Sequence, residues 1–385
     1  MGNIIYNKQF LDHKDILSVK KSLLQSKITT GPLVETFEKK IKNFLKSKYA
    51  LTCSSGTAAI DLCFKAIDLK KGDIVIMPVI NFISAYSMAK QYGAKIFFAD
   101  VDMYTGQMTK ETIMDCVKKN KLKNIKALLV MYLGGYVYNN FELYKIKKKL
   151  KCKLIEDACH AFGSEYNFNS KTYKIGSCKH ADLSAFSFHP LKTITTGEGG
   201  AVSTNNRNYY NTILKLRSHG ISRKKDYWNY DIKYLSNNYR LSDINCALGI
   251  SQLKKINIIL DKRKKLYKKY LTKFKNNQYV KILQYLSSNT PSFHLIIFNF
   301  NFKKLKSNKE KLIKFMIKNK IFPQFHYIPI YKFSFFRKNK IKYNFVGAEN
   351  YYKSTLSFPL YFKMNYRDID KINIVVQKFI NKQNN

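Results

Sequence analysis

Short apolar runs alternate with amphipathic segments through the first 250 residues of this chain. Turn residues flank the apolar runs, which predict strands over residues 73–77, 95–99, 127–132, 153–156 and 183–188. Apolar positions at helical spacing predict helices between them, including 33–45 and 57–66. Because alternating strands and helices favour crossover connections, the pattern predicts an α/β fold whose mostly parallel sheet has helices on both faces.

The pattern changes toward the C-terminus. An amphipathic helix is predicted over residues 241–273, apolar in its first part and lysine-rich in its later part. Beyond it, the sequence predicts strands at 292–300 and 322–328 and helices at 309–318, 348–357 and 367–380. We therefore expect a large domain over residues 1–255 and a smaller C-terminal α+β domain over residues 256–385.

Composition narrows the classes of protein that fit this fold. The chain has 385 residues and 45% hydrophobic content, so it can bury a sizeable core. No apolar run approaches the roughly 18 residues of a membrane span, and the N-terminus does not resemble a signal peptide. We therefore expect a cytoplasmic protein with no membrane partner.

The formal net charge of +44 raises the possibility of nucleic-acid binding. However, the excess is nearly all lysine, and the lysines are spread along the whole chain. No basic stripe with interleaved aromatic residues is present in the sequence. We expect no nucleic-acid partner, although a positive field would help to attract a substrate that carries phosphates.

The seven cysteines are scattered and form no CxxC pair. None has zinc-ligand spacing with a histidine, so no metal site is expected. Reduced thiols in the core are the expected state. Cys159 is the possible exception, because it lies within the acidic motif described below.

A turn of small residues, Ser54-Ser55-Gly56-Thr57-Ala58-Ala59, opens the predicted helix 57–66. Free backbone N–H groups, the hydroxyls of Ser55 and Thr57, and the helix dipole together would bind a phosphate. The alternative is that this turn is an ordinary N-cap.

Asp157 follows the predicted buried strand 153–156. A carboxylate at such a position needs a partner, and a pyridinium N–H would be one that keeps the ring an electron sink. The alternative is that Asp157 caps the next turn. His160 lies three residues further on and either packs beside such a ring or is a structural histidine.

Lys192 follows the predicted strand 183–188, which presents Ser187, and precedes the glycine-rich stretch 197–200. Desolvation in such a place would lower the pKa of the lysine and favour Schiff-base chemistry. One lysine in so lysine-rich a chain carries little information. The prediction of a cofactor site depends on the chain order of the three segments.

These three segments resemble the signature of the DegT/StrS family of sugar-nucleotide aminotransferases, which have the type I fold of pyridoxal-phosphate-dependent transferases. The resemblance extends from Thr30-Gly31-Pro32 to His326-Tyr327. It implies pyridoxal 5'-phosphate as the cofactor and Lys192 as the catalytic residue that binds it covalently.

The resemblance also implies a role for each matching residue. Ser55, Gly56, Thr57 and Ser187 would hold the cofactor phosphate, Phe82 would stack on the ring, Asp157 would pair with the ring nitrogen, and His160 would lie near the ring. Asn238 would reach the phosphate in the neighbouring subunit, which implies a homodimer with shared active sites. Substrate contacts would come from Thr30, Gly31, His326 and Tyr327.

Within the family, the likeness is greatest to a branch of pseudaminic acid biosynthesis. That branch transfers an amino group from glutamate to C4 of a UDP-linked 4-keto-6-deoxy-2-acetamido sugar. Ser236 and Asn237 depart from the Gly and aromatic residue usual there. One alternative is an aminotransferase for another nucleotide 4-keto or 3-keto sugar, such as a perosamine synthase. The other is a non-catalytic regulatory or nucleic-acid-binding relative.

Overall fold

The computed structural model describes residues 2–223, 226, 228–337 and 344–384. Its strands are β1 Ile4–Ile5, β2 Tyr49–Cys53, β3 Ile74–Pro78, β4 Lys95–Ala99, β5 Ile125–Met131, β6 Lys153–Asp157, β7 Glu165–Phe168, β8 Lys171–Lys174, β9 Leu183–Ser187, β10 Gly200–Thr204, β11 Ile221–Arg223, β12 Tyr230–Ile232, β13 Val280–Ile282, β14 Ile296–Phe300, β15 Ile321–Phe322 and β16 Thr355–Phe358. Its α-helices are α1 His13–Leu23, α2 Pro32–Leu45, α3 Gly56–Ala66, α4 Ile83–Gln91, α5 Lys110–Lys119, α6 Asn140–Leu150, α7 Arg207–Leu216, α8 Asp243–Lys254, α9 Ile256–Phe274, α10 Lys309–Lys318, α11 Ser334–Arg337, α12 Val346–Ser354 and α13 Tyr366–Asn384. None of these helices is long and apolar enough to cross a membrane.

The largest sheet has seven strands in the order β2-β10-β9-β6-β5-β3-β4. Strand β10 is antiparallel to both of its neighbours. The other pairs are parallel, so six strands run in one direction. The carboxyl ends of these six strands therefore meet at one edge of the sheet, where open α/β sheets bind their ligands.

Helices cover both faces of this sheet, and successive residues of a strand pack on opposite faces. Val75 and Met77 pack with α3, α4 and α7 on one face, whereas Ile76 packs with α2, α5 and α6 on the other. Burial on both faces explains why these strands read as continuous apolar runs. The predicted α/β class with a mostly parallel, doubly covered sheet is confirmed.

A second core lies in the C-terminal part of the chain. There β13, β14 and β16 form an antiparallel sheet that packs against α9, α10 and α13. Ile4 joins this core from the N-terminus, and β1 pairs with β15. The division into domains 1–255 and 256–385 stays a prediction, which limited proteolysis would test.

The single helix predicted over residues 241–273 is wrong, because α8 ends at Lys254 and α9 begins at Ile256. Tertiary contacts explain the break. The Lys255 ammonium lies 2.9 Å from Asp12 and 2.6 Å from Asp15, next to α1. Helix α8 packs on α1 and α2, whereas α9 packs on α13 and most of its buried side chains join the second core.

Three other predicted bounds also change. The strand predicted over 322–328 is reduced to Ile321–Phe322, since Pro323 has no N–H to continue the ladder. The strand predicted over 292–300 begins only at Ile296, because Phe293 has a φ of 49°, a left-handed conformation that does not belong to a strand. The helix predicted over 348–357 ends at Ser354, and Thr355–Phe358 is a strand.

Candidate active site

A cavity of about 430 Å³ opens at the edge where the parallel strands end. Ten of the predicted site residues line it: Ser55, Gly56, Thr57, Phe82, Asp157, His160, Ser187, Lys192, His326 and Tyr327. The structure therefore brings together residues that lie as much as 272 positions apart in the sequence, from Ser55 to Tyr327. A cavity of this volume is in the range that binds small molecules.

The small-residue turn forms one end of the cavity. Ser55 is the N-cap of α3, and its Oγ accepts the N–H of Ala58 at 3.1 Å. The first N–H groups of a helix have no acceptor within the helix, so those of Gly56 and Thr57 suit an anion. The turn is therefore an N-cap, as one alternative predicted, and it can also serve as the predicted phosphate site.

Gly56 is required at this turn by packing. A Cβ at this position would lie 2.8 Å from Cβ and 3.2 Å from Oγ of Ser187. A side chain would also approach the Cys159 sulfur at 3.2 Å. The backbone of α3 can therefore lie against the end of β9 only because residue 56 lacks a side chain.

We expect Gly56→Ala to weaken cofactor binding by about tenfold or more, because Ser187 and the α3 N-terminus must separate to admit the methyl group. The estimate corresponds to about 1–3 kcal/mol of overpacking. Absorbance titration of the cofactor-free protein with pyridoxal phosphate would measure it. Gly2→Ala is the matched control, since its Cβ meets nothing within 4 Å. Equal affinity in both variants would contradict the expectation.

Asp157 is the last residue of β6 and is 1% exposed. Its Oδ1 accepts the N–H of Cys159 at 3.2 Å, so it does cap the following turn. It also lines the cavity. Burial raises the pKa of Asp157, and the hydrogen bonds from Cys159 and the charge of Lys192 oppose that rise. The carboxylate is therefore placed to pair with a cationic group in the cavity.

Lys192 lies in the turn after β9, and its N–H donates to the carbonyl of His189 at 2.9 Å. Two further backbone bonds fix this loop, from Phe188 to Gly199 and from Thr196 to Phe188. Desolvation lowers the pKa of Lys192, which favours the nucleophilic free amine. Lys192 and Asp157 line the same cavity and interact electrostatically. One bound cofactor could therefore contact both side chains.

His160 is neutral at physiological pH, because burial holds its pKa well below the usual value. Its Nδ1 accepts the N–H of Gly134 at 3.2 Å, which places the ring proton on Nε2. Nε2 lies 3.1 Å from the hydroxyl oxygen of Tyr327, which accepts that proton. The Tyr327 O–H then remains available as a donor to a bound molecule.

Four of the seven histidines line this cavity, and His294 is one that the sequence did not reveal. Its ring centroid lies 4.1 Å from that of His160. Its only signal was a polar residue within a predicted apolar strand. Tyr6 was also missed, because nothing near it in the sequence relates it to the motifs. The cavity also contains Ser84, Met131, Cys159, His189, Leu191 and Glu198.

Thr30, Gly31 and Asn238 do not line this cavity. Thr30 and Gly31 line a separate groove, where the Asp243 carboxylate accepts the N–H of Gly31 at 2.7 Å. Asn238 is exposed, and its Oδ1 accepts the N–H of Arg240 at 3.2 Å. The structure does not bring these three residues to the site within one chain, and their roles stay predictions.

The cysteines follow their expected pattern. All seven are free, and six are buried. Cys159, at the cavity wall, is partly exposed. Among the described residues, no group of three or more His, Cys, Asp or Glu side chains could hold a metal ion.

The chemistry of the cavity fits pyridoxal phosphate. A helix N-terminus with hydroxyl groups suits the phosphate, a buried carboxylate suits the ring nitrogen, and a desolvated lysine suits the aldehyde. Phe82 supplies an aromatic face at the rim, with its ring 5.9 Å from that of Tyr327. The fold and the cavity together define an enzyme of the type I pyridoxal-phosphate-dependent class.

The chain belongs to the DegT/DnrJ/EryC1/StrS aminotransferase family, which matches residues 9–377. It is 37% identical over 368 residues to the UDP-4-amino-4,6-dideoxy-N-acetyl-beta-L-altrosamine transaminase of Campylobacter jejuni subsp. jejuni serotype O:23/36, covering 95% of this chain and 94% of that protein. The structure of PseC from Helicobacter pylori, an aminotransferase of pseudoaminic acid biosynthesis, matches with a TM-score of 0.91 and 28% identity, covering 99% and 100% of the two chains. The GDP-perosamine synthase of Escherichia coli O157:H7 is 33% identical over 243 residues, 62% of this chain and 63% of that enzyme.

These similarities confirm the predicted family, the type I fold and the aminotransferase class. The predicted cofactor is confirmed as that of the family, since a solved structure 25% identical to this chain contains a trapped PLP-glutamate geminal diamine.

Proposed function

We propose that this enzyme transfers an amino group from glutamate to C4 of a UDP-linked 4-keto-6-deoxy-2-acetamido sugar of the pseudaminic acid type. The observation that carries the aminotransferase chemistry is the convergence of Lys192, Asp157 and the Ser55–Thr57 turn on one cavity. The choice of sugar is supported by 37% identity to the Campylobacter jejuni transaminase over nearly the whole of both chains.

Separate residues of the cavity would hold the ring and the phosphate of the cofactor. Bound pyridoxal phosphate supplies an electron sink for the carbon that loses its proton. The Asp157 carboxylate holds the proton of the ring nitrogen. Ser55, Gly56, Thr57 and Ser187 would hold its phosphate, and Phe82 would supply an aromatic face to the ring.

Lys192 is the proton carrier in this proposal. When its Nζ is free, it would accept the proton from the α-carbon of glutamate and, in the second half of the reaction, deliver a proton to C4 of the sugar. The lowered pKa of Lys192 keeps enough of the amine unprotonated to accept that proton. His160 and His326 stay uncharged beside it, since burial lowers the pKa of both.

We further propose that the enzyme acts as a cytoplasmic homodimer in which Asn238 completes the partner's phosphate site. The exposed position of Asn238 supports this, because its side chain is available to a second subunit. Large apolar side chains are also exposed: Leu235, three residues before Asn238, is 91% exposed, and Leu24, directly after α1, is 81% exposed. Such apolar surface commonly marks a protein interface.

Product analysis tests this function. The purified protein with pyridoxal phosphate and glutamate is incubated with UDP-2-acetamido-2,6-dideoxy-hexos-4-ulose, and the product is examined by NMR. An amine at C4 and formation of 2-oxoglutarate are expected. GDP-4-keto-6-deoxymannose is the second substrate, because the perosamine synthase similarity makes it the alternative. Amination of the GDP sugar alone would overturn the proposal.

We expect Tyr327→Phe to lower kcat by about 10- to 100-fold, because the variant removes the O–H donor and leaves the His160 Nε2–H without its acceptor. Steady-state kinetics with the UDP sugar would measure it. Tyr361→Phe is the control, since that tyrosine lies outside the cavity. If the two variants had equal kcat, Tyr327 would have no part in proton donation.

A further inference from the structure

Arg263 is a buried cation on α9 that the proposed chemistry does not use. It is 2% exposed, and one of its terminal nitrogens lies 3.1 Å from each of three backbone carbonyls, those of Phe293, His294 and Leu360. Among the described residues, its hydrogen-bond partners are these carbonyls and the Asn7 side chain, and none is an Asp or Glu carboxylate. Burial lowers its pKa to about 10, so it remains charged at neutral pH.

A guanidinium without a carboxylate partner is costly to bury. The carbonyls compensate part of this cost, while its Nε has no hydrogen-bond partner among the described residues. The guanidinium therefore has a role in holding together the segments whose carbonyls it binds. His294 lines the cavity, and Leu360 donates its N–H to the carbonyl of Tyr6, which also lines the cavity.

Asn7 links Arg263 to the lysine loop. It is 3% exposed, and its Oδ1 lies 3.4 Å from the second terminal nitrogen of Arg263. Its Nδ2 donates to the carbonyl of Leu191 at 2.7 Å. That carbonyl belongs to the peptide bond that joins Leu191 to Lys192. A continuous hydrogen-bonded path thus runs from a buried cation to the backbone of the proposed catalytic lysine.

We infer that Asn7 and Arg263 are positioning residues, which hold the Leu191–Lys192 peptide so that the Lys192 amine reaches both the cofactor and the donor carbon. The inference rests on the proposed function. Lysine has a flexible four-carbon side chain, so its Nζ can be held at a defined position only if the backbone is fixed. Asn7 suits this task because an amide offers an acceptor to Arg263 and a donor to Leu191 at once.

The variant Asn7→Asp separates these two contacts. It keeps an acceptor for Arg263. It also replaces the Asn7 amide nitrogen, which donates to the Leu191 carbonyl, by a carboxylate oxygen that repels that carbonyl. The new carboxylate would lie beside the buried guanidinium and offset the loss in stability. Asn7→Ala removes both contacts. Lys8→Ala, on the neighbouring exposed residue, is the matched control.

The test compares these holoenzymes by thermal unfolding, steady-state kinetics and the pH titration of the visible absorbance of the bound cofactor. For Asn7→Asp we expect a Tm within a few degrees of wild type, kcat lowered about tenfold, and KM for glutamate within about twofold. The midpoint of the absorbance titration should shift, because the environment of the Lys192 nitrogen changes. Lys8→Ala should match wild type throughout.

Wild-type kcat and an unchanged absorbance midpoint in both Asn7 variants would overturn the inference. Lowered Tm and lowered cofactor content with an unchanged midpoint would also overturn it, since that pattern means a purely structural role. If wild type itself shows no visible band and no turnover, the proposed function fails, and that result is distinguishable from failure of the Asn7 variants alone.

Discussion

Lys192→Ala is expected to lower kcat for amino transfer by about 10³-fold or more. The variant removes both the covalent attachment of the cofactor and the amine that moves the proton, and general acid–base catalysis alone contributes about 10²- to 10⁴-fold. The cavity contains other polar groups, but His160, His294 and His326 all have pKa values lowered by burial and are poor replacements for a base that must also become a cation.

Two measurements check this expectation. The first is a single-turnover reaction with glutamate, which isolates the proton-transfer half of the reaction from substrate release. The second is borohydride reduction followed by peptide mapping, which should label Lys192 in wild type and no residue of this loop in the variant. Lys179→Ala, at an exposed position before β9, is the matched control. Activity above about one tenth of wild type in Lys192→Ala would refute its assigned role.

The central sheet could be predicted from the sequence because its strands are buried on both faces. Residues 127–132 and 153–156 are apolar runs between turn residues, and both correspond to observed strands. Such runs are a local property, since every residue of a covered parallel strand packs against a neighbour. The helix predicted at 33–45 was equally local, with Pro32 at its first position in the structure.

Elements that depend on distant contacts could not be predicted. Lys255 interrupts the helical pattern because its ammonium pairs with acidic residues at the start of α1, Asp12 and Asp15, some 240 positions away. Similarly, β15 pairs with the N-terminal strand at Ile4–Ile5, which lies some 317 positions earlier in the sequence. The periodicity of apolar residues in a short segment does not depend on these distant partners and therefore cannot predict them.

The candidate site shows the same division. Asp157 ends a strand, and Ser55 and Lys192 follow the ends of strands. The topology of a parallel sheet brings such positions to one edge, so their convergence could be predicted from the pattern. His294 and Tyr6 reach the cavity through the packing of the second core and the N-terminal segment. Neither has a neighbouring motif, so only the folded chain relates them to the site.

The second large effect is expected for Asp157→Asn, which should lower kcat by about 10²-fold or more. Asparagine keeps the acceptor for the Cys159 N–H and nearly the same volume, so the turn after β6 should survive. It removes the negative charge that holds the proton on the ring nitrogen. Loss of one such electrostatic contact in a desolvated site typically costs about 10²- to 10³-fold.

Glu156→Gln is the matched control, because Glu156 precedes Asp157 on β6 and adjacent strand residues point to opposite faces. Its carboxylate contacts Ser184 and Tyr132 away from the cavity, so the variant should lower the free energy of unfolding and leave the cofactor absorbance unchanged. The Asp157 variant should show the reverse, a nearly unchanged Tm with an altered band. If both variants changed Tm alone, Asp157 would be a turn cap and the cofactor would need a different partner.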